Sequence, residues 1–370
     1  MYKHIISPLL DQYVDPEYGH HLTHQLLHKL ENSPWGLKLL EYFNHRGERF
    51  VHKKLQITLG GIKLENPLII AAGWDKTGQA VRALWKLGFA GVEIGSVPVY
   101  PQHGNPKPRL FRLENGVYLN RMGFNSPGFE IVDKNLERYI KDKIPVGVNV
   151  GLNKYETPED APSNFALVVK KLYRHAAYFV INVSSPNTAG LRKLQDKKHL
   201  VEIVKTVNKA MQEAGGKKPL YIKIAPDLTK GAVDDVIEVA INNAVNGLIA
   251  TNTTNNPKIK SKYGLHWETQ MGGVSGDDAD YRRMSSEKIA HIYKESGKKL
   301  EIIGVGGVKD TQTALEKIMA GAKAIQLLSA LRSEGPAVAG KIKRGLVEWM
   351  DKHKVKKLDD IVGVEADKYK

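Results

Sequence analysis

The sequence predicts a (β/α)8 barrel carrying an N-terminal two-helix extension. Three observations predict it: from residue 55 onward short continuous apolar runs alternate with helix-period segments, the runs number eight, and nearly every run ends on a small, amide, hydroxyl or cationic residue. Continuous apolar strands separated by helices call for a parallel sheet covered on both faces, and eight such repeats close into a barrel. A doubly wound open sheet is the alternative, but no GxGxxG fingerprint follows the first run. The repetition is architectural, with no repeat of residue identity.

Composition narrows the class. The chain has 370 residues, enough for one large α/β domain with an appendage, and 42% hydrophobic residues with 34 glycines describe a globular protein with many tight loops. No apolar run approaches the roughly 18 residues of a membrane-spanning helix, and no secretory signal is present, so any membrane contact is expected to be peripheral or made by an anchor outside this sequence. Cysteine is absent, which excludes disulfides, thiolate metal sites and a cysteine nucleophile or acid. The net charge of +15 comes from scattered lysines without interleaved aromatics, so nucleic acid is not expected as a partner.

Residues 1–50 differ from the rest, and the boundary between the extension and a barrel domain of residues 51–370 is placed there. Leu22, Leu26, Leu27 and Leu30 share one side of a helix over 20–30, Pro34 interrupts, and a second apolar segment covers 35–43. Two short amphipathic helices of this kind can serve as a lid, an interface or an interfacial membrane patch. His20, His24 and His28 fall at helical spacing, but with no thiolate and one nearby carboxylate, Glu17, no metal site is expected.

The eight runs are residues 67–72, 91–97, 145–150, 178–183, 220–224, 247–251, 301–305 and 324–328. Helix-period stretches lie between them at 78–87, 161–172, 200–214, 231–243, 282–295 and 311–320. In a barrel the run ends converge on one face, where ligands bind. Here those ends include Ala72-Gly73-Trp74-Asp75-Lys76, Gly95-Ser96, Asn149, Lys223, Thr251-Asn252-Thr253, Gly304-Val305-Gly306-Gly307 and Leu328-Ser329.

The fourth run ends in Asn182-Val183-Ser184-Ser185-Pro186-Asn187-Thr188-Ala189-Gly190-Leu191-Arg192. Two asparagines bracket Ser185, which suits a ligand with amide-like edges beside an atom from which a proton is moved. An ordinary Ser/Asn/Pro turn is the alternative. Gly304 to Gly307 and Ser329 fall where barrels build phosphate sites from backbone N–H groups, and Gly273 to Gly276 forms a second such turn. Lys76 and Lys223 stand at strand ends, where lysines are buried only for a reason. A flavin mononucleotide suits this set: a phosphate for the glycines, a polar ring edge for the amides, and a redox ring beside two cations. Asn120-Arg121-Met122-Gly123-Phe124-Asn125 adds further polar groups to the same face.

These motifs closely resemble the class 2, quinone-linked dihydroorotate dehydrogenases, flavoproteins of pyrimidine synthesis, and the resemblance extends from about Tyr13 to about Pro336. It implies flavin mononucleotide bound by Ala72, Gly73, Lys76, Ser96, Asn149, Asn182, Lys223, Thr251, Gly276, Gly307, Leu328 and Ser329. Dihydroorotate would be read by Asn120, Asn182, Asn187 and Asn252, with Lys76 near its carboxylate and Arg121, Met122, Gly123, Phe124 and Thr253 completing the pocket. Ser185 would take the C5 proton while the C6 hydride passes to flavin N5, with Thr188 and a water as relay and Phe124 excluding solvent. Class 1 relatives place a cysteine at the position of the base, and this chain has none.

The resemblance also implies that the N-terminal helices form the mouth of a tunnel for ubiquinone, with His20 and Arg112 on the quinone head. It implies a monomer in peripheral contact with a membrane, the mitochondrial inner membrane first and the bacterial cytoplasmic membrane as alternative. One departure stands out: the family usually has a tyrosine where this chain has Leu328. The competing expectations are a flavin barrel acting on RNA, of the dihydrouridine synthase type, and a barrel that binds a nucleotide without chemistry.

Overall fold

The computed structural model describes residue 7 and residues 12–45, 50–114, 116–187 and 190–369. Eight parallel strands close into a barrel in chain order: β3 (Leu68–Ile70), β4 (Gly91–Val97), β7 (Val146–Val150), β8 (Tyr178–Asn182), β9 (Leu220–Ile224), β10 (Gly247–Ala250), β12 (Glu301–Val305) and β13 (Ala324–Leu327), which returns to β3. Every residue of these strands is buried except the two ends of β12. That burial is why they read as unbroken apolar runs rather than alternating ones.

Helices α3 (Val81–Lys86), α4 (Phe129–Leu136), α5 (Ala161–Leu172), α6 (Lys197–Ala214), α7 (Lys230–Asn242), α8 (Pro257–Ser261), α9 (Ala279–Glu295) and α10 (Thr311–Ala320) lie between strands, and α11 (Ser329–Ser333) and α12 (Val338–Lys352) follow the last one. α5 and α10 begin and end where the periodicity puts them. α6 and α9 each start three residues earlier than expected, because Asp196 and Asp278 precede the first apolar position. Asp278 is a helix cap whose side chain accepts the N–H of Tyr281 at 2.7 Å.

At the N-terminal end of the barrel, the hairpin β1 (Ile57–Leu59) and β2 (Ile62–Leu64) acts as a plug. Gly60 N–H and the Tyr221 hydroxyl donate to one oxygen of Glu301, at 2.6 and 2.7 Å, which ties the hairpin to β9 and β12.

At the opposite end the chain makes an excursion that the strand count did not anticipate. β5 (Leu110–Glu114), β6 (Val117–Asn120) and β11 (Gly273–Gly276) form an antiparallel sheet in the order β11, β6, β5, assembled from the connections after β4 and β10. Val117, Leu119, Ile259, Val274 and Tyr281 give it a small core of its own. β11 reads as a loop in sequence because its partner strand, β6, lies more than 150 residues away.

α1 (Pro16–Glu31) and α2 (Pro34–His45) form the extension, with α1 begun by Asp15 accepting the N–H of Tyr18 at 2.9 Å. α1 packs against α3 and β5, and α2 against α3 and α12.

The barrel interior is filled to contact. Gly147 on β7 lies against the fully buried ring of Tyr178, and a Cβ at that position would stand 2.2 Å from the ring. Gly147→Ala is therefore expected to destabilise the barrel by about 1–3 kcal/mol, the usual cost of overpacking. Denaturant unfolding checks it, and a variant as stable as the parent would contradict this packing.

Candidate active site

The C-terminal strand ends and the antiparallel sheet enclose a cavity of about 1210 Å³, its open mouth included. Ser185 and Lys76 line it together, from the loops after β8 and β3. Polar groups aimed inward from several strand ends are what a polar ring system together with a small second ligand would pair with.

Its floor is set by a chain of buried hydrogen bonds. Glu93, wholly buried on β4, accepts from Asn149 Nδ2 at 2.9 Å, from the Tyr178 hydroxyl at 3.2 Å and from Gln326 Nε2. With Asn149 Nδ2 spent on Glu93, its Oδ1 faces Ser96 and Asn182 and accepts from both. Asn182 also donates to the Ser96 hydroxyl at 2.8 Å, and its Oδ1 accepts from the Ser184 hydroxyl at 2.9 Å. The Ser184 oxygen in turn accepts from Asn252 Nδ2 at 2.9 Å. A carboxylate can only accept, so one buried charge fixes the direction in which each amide points. Beside this floor Lys223 is buried, and burial lowers its pKa while Glu93 opposes the shift.

Lys76 occupies the other side, donating to Asn125 Oδ1 at 2.6 Å and approaching Met122 Sδ at 2.7 Å. Burial, with repulsion from Arg109 and a smaller attraction from Glu17, brings its pKa down to about 7. Its loop is held by Asp75, which accepts the N–H groups of Thr77, Gly78, Gln79 and Ala80 at 2.7–3.2 Å. Burial alone would raise the Asp75 carboxyl, but His24 and these amides outweigh it and hold it below the usual carboxylate value.

α1 docks onto that loop with its polar face. Glu17, His20, His24, His28 and Glu31, three and four residues apart, line up along one side of the helix. Arg109 forks onto both oxygens of Glu17 at 2.7–3.1 Å, the His20 ring lies 4.9 Å from that of Trp74, and His24 Nε2 is 3.1 Å from Asp75. His28 donates to the Gln79 carbonyl at 2.7 Å, and Glu31 accepts from the Ala83 N–H at 3.1 Å. The histidines thus serve as docking groups. Burial, together with the charges of Lys76, His24 and Arg332, pushes His20 down to about 3, so its imidazole is neutral. Leu27 is buried and Leu30 half-buried, whereas Leu22 and Leu26 face outward, so the leucine stripe is split between core and surface.

The remaining wall is glycine-rich. Gly276, Gly306 and Gly307 line the cavity with φ of +97°, +126° and +72°, and a Cβ on Gly276 would stand 2.0 Å from the Gly116 carbonyl. Four buried polar atoms of lining residues find no partner among the described residues: Asn187 Oδ1, Thr251 Oγ1, Thr253 Oγ1 and Gln326 Oε1. Unpaired buried acceptors and a bare backbone wall are what a ring with imide edges and a phosphate tail would satisfy.

Of the residues singled out from sequence, Ala72, Gly73, Lys76, Ser96, Asn182, Lys223, Thr251, Gly276, Gly307, Leu328 and Ser329 line the cavity, as do Asn120, Met122, Gly123, Phe124, Asn187, Asn252, Thr253, Ser185 and His20. Asn149 lies beneath it as part of the buried chain. Arg121 points out of it, onto the Pro108 carbonyl and Gln270. Arg112 on β5 does not line it, and Thr188 falls outside the described residues. Sequence reasoning missed Glu93, Gln326 and Tyr281, while Asn125, named there among the polar groups of this face, lines the cavity. Glu93 and Gln326 carried a readable signal, as lone polar residues inside apolar strand runs.

A second, more polar chamber adjoins the first beneath α1, sharing His20, Lys76, Met122 and Asn125 with it. Its arginine is Arg109 rather than Arg112.

Residues 54–350 match the family model described as dihydroorotate dehydrogenase. The chain is 38% identical over 364 residues to the dihydroorotate dehydrogenase (quinone) of Natronomonas pharaonis, covering 98% of both chains. It is 39% identical over 377 residues to the mitochondrial dihydroorotate dehydrogenase (quinone) of Mus musculus, covering 98% of this chain and 90% of the other. Its fold is similar to the crystal structure of Eimeria tenella DHODH in complex with ferulenol, with a TM-score of 0.85 and 31% identity over 95% of this chain and 96% of that one.

A lysine with a pKa of about 7 is half deprotonated at neutral pH, whereas an exposed lysine is not until above pH 10. Lys76 in the ligand-free protein should therefore react with an amine-selective reagent along a curve with its midpoint near pH 7. Peptide mass spectrometry across pH reads this curve, and an alkaline midpoint like that of the surface lysines would contradict it.

Proposed function

The chain belongs to the dihydroorotate dehydrogenase family, and on that premise we propose how its residues divide the work of oxidising dihydroorotate to orotate, in pyrimidine biosynthesis, with electrons passed on to a quinone. The observation that carries the reading is that Ser185 and Lys76 face one cavity whose other walls are amides and bare glycine backbone.

Flavin mononucleotide fits the donor set. Gly276, Gly306, Gly307 and Ser329 would hold its phosphate, and Ser96, Asn182, Lys223, Thr251 and Gln326 would face its ring, with Asn149 acting from below. When bound, the flavin supplies a two-electron acceptor that can be emptied one electron at a time.

Lys76 is the cation for the dihydroorotate carboxylate, and an anion there favours its protonated form. Asn120, Asn187 and Asn252 read the pyrimidine edges, with the unpartnered Asn187 Oδ1 as acceptor for a ring N–H. Ser185 Oγ accepts the N–H of Asn187 at 3.2 Å, so that as the C5 proton reaches this oxygen the serine's own proton would pass on to Thr188 and a water, leaving the hydroxyl neutral. Met122 and Phe124 cover the substrate side against water.

For the quinone we assign the polar chamber under α1, which His20, neutral, lines together with Lys76 and Arg109. Tyr18, Leu22 and Leu26 on α1, and Trp35, Leu39, Tyr42 and Phe43 on α2, are exposed, with Trp35 at 80%. Because α1 turns its polar seam to the protein, these apolar groups are left for a lipid surface, and residues 1–50 would act as a peripheral membrane extension of a monomer. No helix among the described residues is long and apolar enough to cross a membrane.

Leu328 lies at the cavity edge, against Gly73, and is 38% exposed. A leucine there offers no hydroxyl toward ring or quinone.

The purified protein should be yellow, and anaerobic dihydroorotate should bleach it. Ser185→Ala should slow the bleaching about 10²- to 10⁴-fold, the span of general acid–base contributions. A bleaching rate equal to the parent's would remove Ser185 from its role, and failure of the parent to bleach would remove the whole reading. Leu328→Tyr is expected to raise quinone turnover while the bleaching rate stays that of the parent, and stopped-flow reoxidation by a soluble quinone measures it. No gain would show that the leucine does not weaken quinone use.

A further inference from the structure

Arg192 lies outside the cavity, yet its guanidinium joins three of the loops that build it. Nε donates to the Ser184 carbonyl at 3.1 Å, in the loop after β8, and Nη2 donates to the Thr253 carbonyl at 3.1 Å, in the loop after β10. Nη1 donates to Asp227 Oδ2 and to Asn255 Oδ1, both at 2.9 Å, bringing in the loop after β9. Asp227 closes the arrangement from its far side, accepting from the Thr254 hydroxyl and from the Asn255 N–H.

Two of the bonded carbonyls belong to residues next to the reacting groups. Ser184 immediately precedes Ser185, and Thr253 follows Asn252, itself held from the other side by the Tyr281 hydroxyl on its carbonyl at 3.0 Å. No β-ladder bonds connect the residues beyond Asn182 to those beyond Ala250, because both strands have ended there and β9 stands between them. Within this pair of loops the direct links are the Asn252 to Ser184 side-chain bond and the Arg192 fork. A planar group with several donors in fixed directions sets the separation of two carbonyls in a way that a single ammonium cannot.

We infer that Arg192 is a positioning residue for proton removal: by holding the Ser184 and Thr253 carbonyls on one rigid fork, it sets the distance from Ser185 Oγ to the substrate edge read by Asn252 and Thr253. The inference rests on Ser185 being the base. It assigns Arg192 to the dihydroorotate side alone, because the loops it joins are distant in the fold from the α1 seam.

Arg192→Lys keeps the charge and a partner for Asp227 but loses the fork. In the flavin-loaded enzyme it should slow anaerobic bleaching by dihydroorotate about 10- to 100-fold, the scale of an ångström-sized misplacement. Reoxidation of the chemically reduced variant by a soluble quinone should match the parent, as should its thermal midpoint. In Arg192→Ala, added guanidinium ion should restore part of the bleaching rate. Bleaching at the parent's rate in Arg192→Lys would overturn the inference, and so would equal losses in both half-reactions, which would mark a general structural role. If the parent itself is not bleached, the assignment of function fails first, and the two failures are thereby told apart.

Discussion

Closure of the parallel ladder is the constraint on which this molecule rests. A strand in an open sheet can end anywhere, but eight parallel strands bonded in a ring must all end at one rim. Lys76, Ser185, Lys223 and Asn252 come from strands at different points of the chain and reach one room for that reason alone. The ring also shields the backbone of every barrel strand, so that seven of the eight are buried throughout even where a polar side chain is placed inside.

Those few polar side chains form a second layer of order. An isolated charge in such an interior is costly, and Glu93 is tolerated because Asn149, Tyr178 and Gln326 all donate to it. Its acceptor-only character then propagates outward through Asn149 and Asn182 to Ser184 and Asn252. Amide groups that could otherwise turn over are presented to the cavity in one orientation. Arg192 does at the rim what Glu93 does in the core, joining loops whose strands have already ended.

The extension reverses the usual arrangement of a surface helix. α1 uses carboxylates and imidazoles to grip the loop that carries Lys76, and much of its apolar side is turned to the outside. Attachment of the helix and placement of the lysine are therefore parts of one contact, with His24 on Asp75 at its centre.

Much of this was legible in the letters. Eight apolar runs, the helices between them and the polar run ends were read from local pattern, because continuous burial and helical period are written into neighbouring residues. The motif around Ser185, the glycine turns and Lys76 was readable for the same reason. Partnership was not readable. That Arg109 rather than Arg112 faces the chamber under α1, that β6 pairs with β11, that three helical histidines grip a loop, and that Glu93 orients three asparagines from below all depend on contacts between segments 50 to more than 200 residues apart. Sequence by itself determined which elements form and which chemistry they carry, since those follow from residues close in the chain. Which side chains meet was decided only when the barrel closed, because ring closure sets distances that no local pattern encodes.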